Sequence, residues 1–334
     1  EIEMKPKADA FRIDESSKHY THLNFKNDPD EFQFLVISDN AGGTRPGVLA
    51  RAVEMVNLLQ PELVVHVGDL IEGYSDDEDQ IRAWWQEMDE ILEQLEMPFF
   101  FLPGNHDFYS DASIKAWHER FGDERGYYHF VYKDVLFLMI NTEDPPKTLA
   151  DLKRISPEGY DRMMLIFKAL GKVKGDLTLE DIKKVDELAD WVGVINISDA
   201  QVAYFEEVLE ANPDVRWTFC FMHAPPYFTP TSGEKDPGSF SKIEALLGDR
   251  PYTVYSAHTH IYDYEERNGR DYITTSTSGG ISFPRPGAID HIVWITIAHE
   301  GPKIVNLLLN GIMDKKGPPK DDALDEIGLY KPKA

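Results

Sequence analysis

Cysteine is almost missing. One residue, Cys220, in a chain of 334 leaves no intrachain disulfide framework and no cysteine-rich zinc module. Basic residues are scarce beside acidic ones. Lys+Arg number 34 against 59 Asp+Glu, a formal net charge of −25 at pH 7. Such a surface repels phosphate chains, so no nucleic acid is held here by general electrostatics. Long apolar runs are absent too. The longest, such as PFFFLP and VLFLMIN, are of core-strand length, well short of the roughly 18–20 residues that cross a bilayer. No membrane span is expected. What is present suits a folded domain: 42% hydrophobic and 12% aromatic residues exceed what disordered chains carry. The length allows one large domain or two ordinary ones. The numbering opens at Glu1 rather than Met, and no signal peptide is visible, so an N-terminal segment removed beforehand is one reading.

Residues 1–31 are polar and without period, an N-terminal arm. FQFLVIS (32–38) then reads as a buried strand that stops at Asp39-Asn40-Ala41-Gly42-Gly43, which is loop chemistry. Pro46 opens a helical pattern with Leu49, Val53, Val56 and Leu59 at spacings of three and four. ELVVHVGD (62–69), a long amphipathic helix over about 78–96 and MPFFFLPGNHD (97–107) repeat the scheme. Strand, loop, helix in series is the signature of an open α/β sheet, which places its sites at the carboxyl ends of strands. VLFLMINTED (135–144), RWTFCFMH (216–223) and YTVYSAHTH (252–260) continue it, and Ser198-Asp199-Ala200-Gln201 is a capping box. Asn268-Gly269 marks a hairpin, and HIVWITIA and KIVNLLL read as closing antiparallel strands. Residues about 143–198 interrupt the rhythm with helical patterns near 160–170 and 178–192. This insertion reads as cover for a sheet edge or as a lid. Residues 313–334 form a charged, Pro-rich tail, so the main domain is expected over 32–312.

Five segments put metal-type ligands just past a strand: Ser38-Asp39, Gly68-Asp69, Gly104-Asn105-His106-Asp107, Met222-His223 and Ala257-His258-Thr259-His260. Each has an ordinary use alone. Asp39 satisfies loop amides, Gly-Asp is a common turn, and a histidine at a strand end is commonly a satisfied polar residue. His258 and His260 share a face at period two. Taken together, the two carboxylates of Asp39 and Asp69, one amide oxygen and four imidazoles would be costly to bury without a cation. A pair of ions, with one carboxylate bridging, resolves that cost. Oxygen and imidazole donors without thiolate suit Mn, Fe, Zn or Co rather than Mg or Ca.

The set D-x-x, GD, GNHD, H and HxH resembles the calcineurin-like metallophosphoesterase superfamily from about Phe32 to about Leu309, the GNHD and HTH elements being the specific ones. The resemblance implies a four-layer αββα sandwich of two mixed β-sheets flanked by helices. It implies two divalent or trivalent metal ions with Asp69 bridging, one ion completed by Asn105, His223 and His258, the other by Asp39 and His260. It gives His106 the scissile phosphate or the leaving group, with Asp107 orienting it. The implied activity is hydrolysis of a small-molecule phosphate ester, diester slightly ahead of monoester, by a metal-bridging hydroxide. The superfamily's frequent export points to a periplasmic or secreted protein, with the cytoplasm as alternative.

One departure stands out. The first motif is usually Asp-x-His, and here it reads Asp39-Asn40-Ala41, which cannot give an imidazole. Glu72, three residues after Asp69, is read either as the replacement donor or as an ordinary loop carboxylate. Arg45 and Arg285 are candidates for the substrate phosphate, or solvated surface residues. Trp84, Trp85, Tyr227 and Phe228 line a pocket mouth or, for the tryptophans, pack in the core. His66 and His291 read as structural. Two other functions compete with the enzyme of small esters. One is a non-catalytic interaction platform whose degenerate first motif has cost an ion, although a scaffold has no use for a leaving-group acid at His106. The other is a phosphoprotein phosphatase, for which no peptide groove is visible.

Overall fold

A computed structural model of the chain describes residues 28–122, 125–146, 195–225, 240–282 and 286–312, with isolated positions 148, 150, 153, 154, 157 and 161. Nearly all of the arm, most of the insertion, the tail, and Tyr227, Phe228 and Arg285 lie outside the described residues.

The first sheet has the order β11-β10-β1-β2-β3. Its strands are β1 (Phe32–Ile37), β2 (Leu63–His66), β3 (Phe99–Phe101), β10 (His291–Ala298) and β11 (Gly301–Leu308). β1, β2 and β3 run parallel, whereas β10 lies antiparallel to β1 and to β11. The second sheet is built from β4 (Tyr128–Tyr132), β5 (Val135–Ile140), β6 (Trp217–Met222), β7 (Tyr252–Ser256), β8 (Asp263–Arg267) and β9 (Arg270–Thr274) in the order β4-β5-β6-β7-β9-β8. The helices are α1 (Val48–Leu59), α2 (Glu78–Leu92), α3 (Asp111–Phe121), α4 (Asp199–Ala211) and α5 (Phe240–Leu247).

Side-chain alternation makes the layers. On β1, Phe32, Phe34 and Val36 point into a core between the sheets, shared with Val135, Phe137 and Met139 of β5. Leu35 and Ile37 point the other way, into a core with α1, α2 and α3. On β5, Leu136, Leu138 and Ile140 face a third core under α4 and α5. A strand covered on both faces must be apolar at every position, which is why these segments read as unbroken hydrophobic runs. Phe34 lies edge-on to Phe137 and Phe219 at 5.3 and 5.1 Å. Burial of each such ring is worth about 1.5–3 kcal/mol. Helices outside two facing mixed sheets give the expected αββα sandwich.

Local differences from the sequence reading have local causes. α1 starts at Val48, because Gly47 caps it with φ 84°. α2 stops at Leu92 rather than near Glu96. α3 was not legible as a helix. It is opened by Ser110, whose hydroxyl accepts from the Ser113 amide while Ser113 returns the bond, a box written with Ser where Glu or Gln is the usual signal. The Asn268-Gly269 hairpin forms between β8 and β9, both residues at positive φ. Among the described residues no helix is long and apolar enough to cross a membrane.

Candidate metal centre

The carboxyl ends of β1, β2 and β3 in one sheet and of β6 and β7 in the other meet at one edge of the sandwich. The expected residues arrive there from five loops. Asn105 Oδ1 lies 3.0 Å from His223 Nε2 and 2.8 Å from His258 Nδ1, and these two nitrogens are 3.2 Å apart. Asp69 Oδ2 is 3.2 Å from His223 Nε2. Asp39 Oδ1 is 3.3 Å from His260 Nε2, and the amide of His258 donates to Asp39 Oδ2 at 3.4 Å, which links the two groups. His106 Nε2 stands 3.7 Å from Asp69 Oδ2.

Each donor is aimed from behind. The Nδ1–H of His223 donates to the carbonyl of Val67 at 2.9 Å, and that of His260 to Ile281 at 2.7 Å. Both leave Nε2 for the centre, the arrangement that fixes a metal-binding imidazole. The His106 amide donates to Asp69 Oδ1 at 2.9 Å, so Oδ2 turns inward. Asp69, His258 and His260 have φ of 62°, 70° and 55°. Left-handed backbone at non-glycine residues costs about 1–3 kcal/mol each and persists where the surroundings impose it. The strain is what turns these side chains back over the strand ends.

The electrostatics favour positive charge. Burial would lift the Asp69 carboxyl, but His223 and His106 hold it well below the usual carboxylate range. Burial would lower His223, but the Asp69 carboxylate pushes it up to about 10. Burial works against His260 likewise, and Asp39 raises it. A cation bound here would displace these protons. The donor spacing fits one. Atoms about 2.0–2.2 Å from a shared ion stand roughly 3 Å apart, as Asn105, His223 and His258 do among themselves and Asp69 does to His223. Asp69, His223 and His258 offer ligand atoms all within 4.8 Å of one another. Among the described residues, buried Asp39 Oδ1 meets no hydrogen-bond partner, an orphan that an ion at the Asp39–His260 pair would satisfy.

Other expectations resolve differently. Asp107 is tied to the backbone of the loops beside it. Its carboxylate accepts from the amides of Asp69, Leu70, Ile71 and Gly104 at 2.9–3.1 Å. It is a buried clamp between two ligand-bearing loops. Burial and the Asp69 charge push its carboxyl up to about 7, against the pull of those amides. The His106 ring is oriented instead by the Glu72 carbonyl, which accepts from Nδ1 at 2.8 Å. The Glu72 carboxylate is drawn to the loop after β1: Oε1 accepts from the amides of Gly43 and Thr44 and from the Thr44 hydroxyl at 2.6–2.9 Å. Arg45 is committed structurally, forked onto Asp290 with Nε donating to the carbonyl of Gly280. Trp85 is buried against Trp117 and Phe121, with Trp84 packed on the same core.

Two features escaped the sequence reading. Tyr74 accepts from Asn105 Nδ2 at 2.9 Å and lays its ring 3.9 Å from that of His106. The loop Thr275–Gly280 grips the first motif: the Thr277 hydroxyl and the Gly280 amide donate to the Asp39 carbonyl at 2.8 Å, and the Ser276 hydroxyl donates to His260 O at 2.9 Å. His291 pins this loop by accepting from the Ser276 amide at 2.9 Å. The run of small hydroxyl residues in TSTSGG was its one signal in the sequence.

Comparison with known proteins adds the following. The family model described as calcineurin-like phosphoesterase matches residues 32–262, more than half of the chain. No curated protein is significantly similar in sequence. A dimetal phosphatase from Danio rerio shares the fold with TM-score 0.51 and 14% identity over 83% of this chain and 99% of its own. A purple acid phosphatase from yellow lupin seeds aligns with TM-score 0.50 and 13% identity over 85% of this chain but 52% of its own. PhoD aligns with TM-score 0.51 and 10% identity over 83% of this chain and 68% of its own.

Proposed function

The chain belongs to the calcineurin-like phosphoesterase family, whose members are metal-dependent phosphoester hydrolases, and from that premise we propose that it hydrolyses a small phosphate ester at the loop cluster described above. Asp69, Asn105, His223 and His258 would hold one divalent or trivalent ion, and Asp39 and His260, with Asp69, would hold the other. Mn, Fe, Zn or Co suits this donor set. Bound there, such ions would supply Lewis acidity toward phosphate oxygens and toward water.

The chain's own residues do the rest. His106, as the imidazolium, gives the leaving oxygen its Nε2 proton and returns to the neutral ring with Nδ1–H still tied to the Glu72 carbonyl, which aims Nε2 at the centre. Asp107 keeps the loops of Asp69 and Asn105 in register. The net charge of −25 repels an anionic ester at long range, so attraction is confined to the centre. A cavity of about 610 Å³, lined by Pro225, Thr259, Ile261, Tyr262, Asp263 and Glu265 among others, borders the His223 and His258–His260 loops.

The observation that carries this reading is the convergence of Asp69, Asn105, His223 and His258 at ligand spacing with His106 beside them. Metal quantification paired with a panel of aryl phosphate mono- and diesters tests it. Two ions per chain with turnover are expected, both lost in Asp69→Ala. His106→Ala should keep its metal while turnover falls roughly 10²–10⁴-fold. One ion or none, with no turnover under any added metal, would leave the interaction platform as the better account.

A further inference from the structure

We propose that Tyr74 is a positioning residue of this centre, its hydroxyl anchoring the far end of the Asn105 amide and its ring backing His106. The inference rests on the metal reading above and names a residue outside the ligand set.

Asn105 is the one neutral, non-imidazole donor of the cluster. An amide is a weak ligand, its plane turns freely about a terminal torsion, and its nitrogen end cannot bind a cation. Two contacts at the near end, Oδ1 to His223 Nε2 and to His258 Nδ1, do not fix that plane without a partner behind it. The structure supplies one: Asn105 Nδ2 donates to the Tyr74 hydroxyl at 2.9 Å. A donating NH2 also draws electron density toward the oxygen, so the same bond makes Oδ1 a better ligand. The ring works on the neighbouring residue. It lies 3.9 Å from the His106 imidazole at 45°, and Tyr109 supports it edge-on at 4.1 Å. One side chain thus holds both an expected ligand and the expected proton donor.

The backbone explains how Tyr74 gets there. Gly73 has φ 62°, and a Cβ on it would fall 1.5 Å from the carbonyl oxygen of His106. Only glycine lets the turn after Glu72 press this closely on the GNHD loop. Glu72 and Tyr74, on either side, then both contact that loop, one through its carbonyl and one through its hydroxyl.

The test is Co²⁺ titration of the metal-free full chain, read by visible absorption, with melting of the metal-free protein measured in parallel. Tyr74→Phe keeps the ring and removes the anchor. It should weaken Co²⁺ binding about tenfold or more and alter the absorption bands, with metal-free melting unchanged. Tyr74→Leu should add a shift in the pH profile of turnover, because His106 loses its backing. In an Asn105→Asp background, where either carboxylate oxygen can serve, Tyr74→Phe should cost little further affinity. Wild-type affinity and spectrum in Tyr74→Phe would overturn the proposal while leaving the metal centre standing. So would an equal loss in both backgrounds, or a fall in metal-free melting that matches the loss of affinity. Failure of the unaltered chain to bind Co²⁺ would bring down the metal reading and this proposal together.

Discussion

Asp107 shows how a residue one place from the expected proton donor serves another end. Four backbone amides converge on its two oxygens, and the carboxyl is fully buried. Replacing it with Ala strands those donors away from water, at about 1–3 kcal/mol for each one left unsatisfied. Asp107→Ala should therefore lower the unfolding free energy by at least about 3 kcal/mol in urea denaturation. Asp107→Asn, which turns an NH2 toward the same amides, should recover little of it. A loss of turnover with full stability would return Asp107 to the orienting role that its place in GNHD suggests. At the same scale, Ala41, at the third position of the first motif, cannot supply an imidazole. Glu72 answers that loss by ordering Gly43 and Thr44 rather than by any contact with the Asp39–His260 pair that the structure shows.

The loops are the elements that make the site, and glycine sets how closely they approach. Gly104 opens the GNHD turn, and a Cβ there would lie 2.2 Å from Asp69 Oδ1 and 2.8 Å from His223 Cγ. Gly104→Ala must push apart the two side chains that the centre most needs together. Calorimetric titration with Mn²⁺ or Zn²⁺ should show at least a tenfold loss of affinity in this variant, whereas Gly122→Ala, whose Cβ meets nothing within 4 Å, should bind as the parent does. The control tests space alone, since Gly122 also sits at positive φ, 66°, and any cost there falls on α3 rather than on binding. The Thr275–Gly280 loop is the other decisive element. It carries no ligand, yet it fixes the backbone of Asp39 and of His260 at once.

At the scale of the molecule, stability should depend on pH through histidines that are buried neutral. Burial holds His66 and His291 down at about 4 from an ordinary 6.5. His66 accepts from the Gly68 amide, and His291 lies between the Ser276 amide and Asn306. The unfolded chain takes up these protons first as pH falls. Each histidine's contribution is therefore whole above pH 6.5 and is lost between about 6.5 and 4, roughly 3 kcal/mol apiece. Acidification works the other way on Asp107, whose raised carboxyl takes its proton first in the fold, so the share of His291 is read as the difference in melting between parent and variant, both chelated, across that window. His291→Gln should flatten the slope; an unchanged slope would show that His291 titrates freely in the fold.

Much of the site was legible because metal ligands are chemically unambiguous and stand at strand ends. Asp39, Asp69, Asn105, His223, His258 and His260 could be picked from a list of loops, since so many donors without a cation make no sense in a folded core. The layers were legible as well, because strands covered on both faces must be apolar throughout. What the chain alone did not disclose lies in contacts between segments far apart in sequence. Nothing local in Glu72, Tyr74 or Asp107 says which backbone amide, hydroxyl or ring it will meet, and TSTSGG is an ordinary loop until Asp39 is seen in its grip. Residue type and spacing determined the donor set. Only the docking of two sheets, with their loops pressed together at glycine, decided which atoms face the centre, because hydrogen-bond direction is a property of the assembled fold and not of any one stretch of chain.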